Sequence, residues 1–121
     1  NLISNSIKFT RSGSIAISAT IINPIPINYG VYDNTEKPFL RIQVEDSGPG
    51  IDEVTLKSIL NNKNENLSIN TSYKYNKMGS GIGIGICKNI LCKLNHDFNI
   101  NSSDKGTVVT IDIRSIDKRL N

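Results

Sequence analysis

Apolar positions along the 121 residues change their period several times, and each change marks an element. Leu2, Ile3 and Ile7 share one helical face, with Asn1, Asn5 and Lys8 on the neighbouring one, so residues 1–9 read as a helix. Thr10-Arg11-Ser12-Gly13 ends it, with Gly13 as the turn residue. Ile15, Ile17, Ala19 and Ile21 then alternate with Ala16, Ser18 and Thr20, which predicts a strand with one buried face. Residues 23–38 hold three prolines and a glycine and predict a long hairpin excursion at an exposed edge. In the next strand Leu40, Ile42 and Val44 point inward and Arg41, Gln43 and Glu45 outward. It stops in Asp46-Ser47-Gly48-Pro49-Gly50, a turn that no strand continues through.

Ile51 or Asp52 opens a short helix carrying Val54, Leu56, Ile59 and Leu60, and from Asn61 to Met78 no period survives. An aperiodic stretch of that length inside a domain is functional or mobile as a rule. Gly79–Ile86, GSGIGIGI, then reads as a glycine turn feeding a helix that runs to about Leu94, with Ile82, Ile86, Ile90 and Leu94 at helical spacing. Two strands close the pattern: Asp97–Ser102 with Phe98 and Ile100 inward, and Thr107–Ile113 with Val109, Ile111 and Ile113 on one face. Asp104-Lys105-Gly106 joins them as a tight turn, and the charged tail 114–121 is expected to be loose. This order predicts one α+β domain over residues 1–121, a two-layer sandwich in which about three helices cover one face of a mixed, mostly antiparallel sheet.

Composition narrows the function classes only a little. Fourteen basic against eleven acidic residues give a net charge of +3, too mild to argue for nucleic acid. No run of about 18 apolar residues is present, so this stretch carries no membrane-spanning helix, and no signal peptide is visible. Cys87 and Cys92 lack metal-ligand spacing, read as small buried hydrophobes and point to a reducing, cytoplasmic setting. Asn and Ile together supply 36 residues, so a single asparagine is weak as a signal. The chain opens already in helical pattern, which reads as a domain truncated within its first helix.

The glycine stretch is the first chemical candidate. Gly79, Gly81, Gly83 and Gly85 occupy alternate positions before a helix, where unpaired N–H groups and the helix dipole favour a phosphate. Taken alone it is equally a flexible linker. The spacing is not G-x-G-x-x-G, and no G-K-[ST] follows, which excludes a dinucleotide loop and a Walker A loop.

Four segments in order, NLISNSIKFT, DSGPGI, GSGIGIGI and KGT, resemble the N box and glycine boxes of the sensor histidine kinase ATP-binding domain, in the wider Bergerat-fold group with gyrase, HSP90 and MutL. The resemblance spans Asn1 to about Ile113. It implies that the Asn5 side-chain oxygen holds Mg²⁺ against the triphosphate, that Lys8 contacts phosphate and that Asn1 and Phe9 line the nucleotide site. It implies that Asp46 accepts a hydrogen bond from the adenine amine, that Gly48 and Gly50 let the backbone approach the base and that Ile51 packs on it. Gly79, Ser80, Gly81, Ile82 and Gly83 would lie on the phosphate side of an ATP lid at 62–78, Lys74 or Lys77 would reach the γ-phosphate, and Thr107 would lie near adenine.

Gyrase-like ATPases carry E-x-x-x-N, whose glutamate activates water; here Asn1 stands at that position, and an amide is no general base. The resemblance therefore implies transfer of the γ-phosphoryl group to a histidine, with ATP and Mg²⁺ as cofactors. The acceptor histidine would lie on a separate dimerisation domain, with a response-regulator receiver domain downstream. Ile59-Leu60-Asn61-Asn62 lacks the phenylalanine box usual in the family, and Asn95-His96 replaces a Gly-Gly. His96, the single histidine, is expected to be an exposed turn residue and not the phospho-acceptor. A degenerate nucleotide-binding module without transfer activity and a Bergerat-type hydrolase are the competing functions.

Overall fold

The computed structural model describes residues 1–23, 37–61 and 81–114, with the side chains of Gly81 and Ile82 left aside. The order is α1 (Leu2–Phe9), β1 (Ile15–Ile22), β2 (Phe39–Asp46), α2 (Glu53–Asn61), α3 (Gly81–Lys93), β3 (Asp97–Ser103) and β4 (Gly106–Ile113). The four strands form one sheet in the order β1-β2-β4-β3, antiparallel at every described pairing. This is the α+β architecture expected from the pattern. The hairpin excursion at 23–38 joins β1 to its neighbour β2, and its residues 24–36 fall outside the described ones.

Register sorts the sheet into two faces. On the inner face Ile17, Val44, Val109 and Ile100 form one cross-strand row, and Ala19, Ile42, Ile111 and Phe98 form the next. Val44, Ile100 and Val109 are buried there, and Ile59 of α2 and Ile84 of α3 close over them, with Leu2, Ile51, Leu56 and Phe98 packed around. The outer face is polar. Arg41 grips Asp112 on the neighbouring strand through two bonds, Nε to Oδ1 at 2.8 Å and an Nη to Oδ2 at 2.7 Å. The Arg41 hydrogen bonds hold the Asp112 carboxyl below the usual carboxylate range, against the opposing effect of burial.

Three apolar assignments made from periodicity alone are corrected by the fold. Ile17 and Ile21 lie on the inner face yet stay exposed, at 56% and 60%, so β1 does not bury one face as expected. The reason is placement: among the described strands β1 lies at the edge, while α1 packs on β2 and α3 on β3, which offsets the helical layer from that edge. Val54, at 80% exposure, points away from the core in the first turn of α2. In α3 the expected stripe is the wrong one. Ile86, Ile90 and Leu94 are exposed, and Ile84 faces the sheet.

The turns follow their chemistry. Asp52 caps α2, its Oδ1 accepting the Thr55 N–H at 2.9 Å and its Oδ2 the Thr55 hydroxyl at 2.6 Å, so the helix starts one residue after Asp52. Asn95 adopts φ 58 after α3, and the His96 N–H reaches back to the Leu91 carbonyl at 2.8 Å, the closing bond of a left-handed helix end. An asparagine tolerates that conformation better than other non-glycine residues, so it can close the helix at a position that otherwise favours glycine. His96 itself is half-buried, a correction to the exposed residue expected, and its Nδ1 accepts the Arg114 N–H at 3.2 Å. Cys87 is half-buried and Cys92 exposed, both free, so Cys92 is not the buried hydrophobe expected.

Candidate functional site

At one end of the sheet the inner face changes from apolar to polar. Ile15, Asp46, Thr107 and Ser102 form its last cross-strand row. Strand alternation carries Asp46 onto the same face as Val44 and Ile42, and Ser102 onto the face of Ile100 and Phe98, so three polar side chains finish an apolar surface. The Thr107 and Ser102 hydroxyls lie 2.8 Å apart, and the Ile51 N–H donates to Ser102 Oγ at 2.8 Å. That bond folds the Ser47–Asp52 turn back over the sheet end.

Two glycines make this fold-back possible. Gly50 has φ +79, and a Cβ there would stand 1.9 Å from the Ser103 carbonyl oxygen. Gly106 has φ +139, and a Cβ there would stand 1.9 Å from the Asp46 carbonyl oxygen. Only a residue without a side chain fits either position. The close approach at Gly106 locks the end of β2, and with it Asp46, against the start of β4.

The Asp46 carboxylate is held from two sides. Ser6 Oγ, on α1, donates to Oδ2 at 3.2 Å, and the Gly48 N–H donates to Oδ1 at 3.0 Å. One lone pair of each oxygen is thereby used, and the others remain to accept from a ligand. Asp46 is half-buried, so its electrostatics are felt by whatever enters the turn. A Cβ at Gly48 would meet Asp46 Oδ1 and Thr10 Oγ1, each at 3.1 Å, so the turn backbone crowds against the end of α1.

On α1, Asn5 faces α3, with its Nδ2 3.6 Å from where a Gly83 Cβ would be and the Asn1 side chain at 3.8 Å. Asn5 Nδ2 and Thr10 Oγ1 are buried without a hydrogen-bond partner among the described residues. A buried donor left without a partner is costly, which makes Asn5 Nδ2 a candidate contact for a ligand acceptor. Lys8 and Phe9 lie on the exposed side of the same helix, with the Lys8 ammonium 5.7 Å from the centre of the Phe9 ring.

The structure thus brings the sequence-predicted residues into two neighbouring groups. Asp46, Gly48, Gly50, Ile51 and Thr107 surround the sheet end; Asn1, Asn5 and Gly83 meet between α1 and α3. The Lys8 side chain stays exposed, while the Phe9 backbone carbonyl lies 3.4 Å from where a Gly48 Cβ would be. Lys77, Gly79 and Ser80, and the lid at 62–78, lie outside the described residues. The glycine turn is corrected in extent: α3 begins at Gly81, so Gly81, Gly83 and Gly85 sit within the helix, and Gly83 serves as the smooth surface against which α1 packs. Among the described residues no cluster of three His, Cys, Asp or Glu side chains is arranged to hold a metal.

Pattern reading missed Ser6, Thr10 and Ser102. A signal existed for two of them. Ser6 stands four residues after Leu2, on the inward side of α1, and Ser102 continues the inward parity of Phe98 and Ile100. A polar residue that breaks an apolar period at the end of an element marks a place where the core gives way to a site.

A family model described as histidine kinase-, DNA gyrase B- and HSP90-like ATPase matches residues 1–116. The chain belongs to this family. Among its curated relatives, the autoinducer 2 sensor kinase/phosphatase LuxQ of Vibrio vulnificus is 36% identical over 102 residues, covering 84% of this chain and 11% of LuxQ. The sensor protein EvgS of Escherichia coli is 29% identical over 114 residues, 93% of this chain and 8% of EvgS. The chain therefore spans about a tenth of the length of these relatives. In fold, this ATPase-family domain is similar to the histidine kinase domain of the E. coli osmosensor EnvZ, with TM-score 0.53 and 20% identity over 99% of this chain and 63% of that one. It is a histidine-kinase-type ATPase domain, and the polar end of its sheet, beside Asn5, is its candidate nucleotide site.

Proposed function

We propose that this chain binds Mg-ATP as the catalytic domain of a sensor histidine kinase and supplies the γ-phosphoryl group to a histidine on a separate acceptor domain. The observation that carries the reading is the Asp46 carboxylate, fixed at the sheet end by Ser6 and Gly48 with acceptor lone pairs to spare. Such a group takes an exocyclic amine and refuses a carbonyl. Ile51, half-buried beside it, offers an apolar face for the flat base.

The buried Nδ2 of Asn5, without a hydrogen-bond partner among the described residues, is a donor that fits a phosphate oxygen, which leaves the side-chain oxygen for an adjoining cation. Mg²⁺ takes few protein ligands and completes its octahedron with phosphates and waters, so a single side-chain oxygen suits it better than a carboxylate cluster. Bound there, Mg²⁺ would neutralise the charge that develops on the transferring phosphoryl group. Asn5 would orient the triphosphate and Gly83 would leave room for it. Asn1 stands where a water-activating glutamate would stand, and an amide is no general base, which favours transfer to an imidazole nitrogen brought by another domain.

The dimerisation domain carrying that histidine and a response-regulator receiver domain are the partners this reading requires, in a cytoplasmic setting. Among the described residues no helix is long and apolar enough to cross a membrane.

Calorimetric titration of ATP and ADP, with and without Mg²⁺, tests the proposal. Magnesium should tighten ATP binding, and Asn5→Ala should remove that tightening while the fold survives. A folded protein that binds neither nucleotide overturns the reading. The absence of a phenylalanine in Ile59-Leu60-Asn61-Asn62, where the family usually carries its phenylalanine box, favours a second reading, nucleotide binding without transfer. Absence of labelled phosphohistidine in the full-length protein, with ATP binding intact, would select it.

A further inference from the structure

The one buried residue of α1 is a serine, 6% exposed, on a helix whose Ile3 and Ile7 are left in solvent. Burying a hydroxyl in place of an apolar side chain is unfavourable unless the hydroxyl is used. A serine inside a helix ordinarily bonds back to its own preceding turn or to water. Ser6 instead reaches across the fold to Asp46 Oδ2, 40 residues away in sequence. Its backbone carbonyl meanwhile accepts the Thr10 N–H at 3.0 Å, which ends α1 beside the same carboxylate.

We propose that Ser6 is a positioning residue for base selection: its hydroxyl fixes the plane of the Asp46 carboxylate so that the site takes 6-aminopurine nucleotides over 6-oxopurine ones. This deepens the nucleotide-binding reading and rests on it. The terminal torsion of an aspartate is broad and roughly two-fold, so one hydrogen bond leaves the carboxylate plane free to swing. Gly48 N–H holds Oδ1, and the Ser6 hydroxyl, on a separate element, holds Oδ2. With both oxygens anchored, the remaining lone pairs keep one direction. An exocyclic amine can donate along it, whereas a ring carbonyl meets oxygen with oxygen. Without Ser6 the carboxylate turns, the amine loses its aligned acceptor, and the carbonyl is repelled less strongly.

The test uses Ser6→Ala and Ser6→Cys in the full chain, with Kd for ADP and for inosine diphosphate measured by calorimetry and folding checked by thermal melting. In the wild type ADP should bind the tighter of the two. Ser6→Ala should weaken ADP by about five- to tenfold, less than the roughly 10- to 150-fold of a whole hydrogen bond to a charged group because the base contact is misaligned and not removed, with inosine diphosphate changed less than twofold, so that the selectivity ratio falls. Ser6→Cys, similar in volume and a weak donor, should fall between. A merely structural serine would lower the melting temperature and leave the ratio alone; an unchanged ratio in either folded variant overturns the assignment of Ser6 while leaving nucleotide binding in place. A folded wild type that binds neither nucleotide overturns the nucleotide reading and the Ser6 assignment together.

Discussion

Replacing Asp46 by asparagine removes a charge while keeping the shape of the side chain, and the surrounding bonds allow the exchange to be followed atom by atom. The Gly48 N–H requires an acceptor at the Oδ1 position, so the asparagine oxygen stays there. The amino group then takes the Oδ2 position, where the Ser6 hydroxyl can turn from donor to acceptor. Both intramolecular contacts therefore survive, and stability should change by no more than about 1 kcal/mol. The ligand contact does not survive. A hydrogen bond from the base amine to a charged acceptor is worth about 1.5–3 kcal/mol, and an amino group in its place repels the amine. ADP affinity should fall by roughly 10- to 150-fold, since about 1.4 kcal/mol is a factor of ten. Inosine diphosphate, whose ring carbonyl can accept from the new amino group, should hold or gain affinity. Paired calorimetric titrations, with a melting curve as the fold control, read all three quantities. Unchanged ADP affinity in a folded Asp46→Asn protein would refute Asp46 as the base contact and remove the ground for the nucleotide site at the sheet end.

Two further outcomes concern the fold that holds the site. Gly106→Ala must abandon φ +139 or press its Cβ into the Asp46 carbonyl, 1.9 Å away; a strained backbone position costs about 1–3 kcal/mol and an overlap about as much again. Against a whole-domain stability of about 5–15 kcal/mol, urea unfolding should show a large loss, and a shift within error would deny that the two strands meet as closely as described. In α3, Ile84→Ala should cost about 2–4 kcal/mol as a cavity in the core, whereas Ile90→Ala, at an exposed position, should stay within about 0.5 kcal/mol. Equal losses for the pair would mean that the helix is rotated from the orientation found.

Much of the candidate site was legible because it sits where patterns end. Asp46 closes an alternating strand at a glycine turn, Asn5 lies beside an apolar helical face, and Gly106 marks a two-residue turn between paired strands. Those are local statements, and local sterics enforce them. Lys8 shows the limit. It stands one helical turn from Asn5 on a shared face, but spacing does not set where the end of a long side chain lies, and its ammonium is found exposed, 5.7 Å from the centre of the Phe9 ring. Ser6 shows the opposite limit, since nothing within NLISNSIKFT says that a carboxylate waits above it.

By itself, then, the sequence determined the order of helices and strands, the side of each strand that faces inward, and the turns that glycine, aspartate and asparagine permit. Each of these follows from backbone period and from sterics within a few residues. Tertiary structure alone decided which apolar positions are covered. In α3 both Ile84 and the stripe Ile86, Ile90, Leu94 satisfy helical spacing, and contact with the sheet and α2 selects the first. In β1 alternation puts Ile17 and Ile21 on the inner face, but the strand's place at the sheet edge leaves them in water. Period fixes where a side chain points relative to its own element. What it meets there depends on neighbours tens of residues away, which is why Asp46 and its partner Ser6 become a site only when the sheet and α1 are assembled.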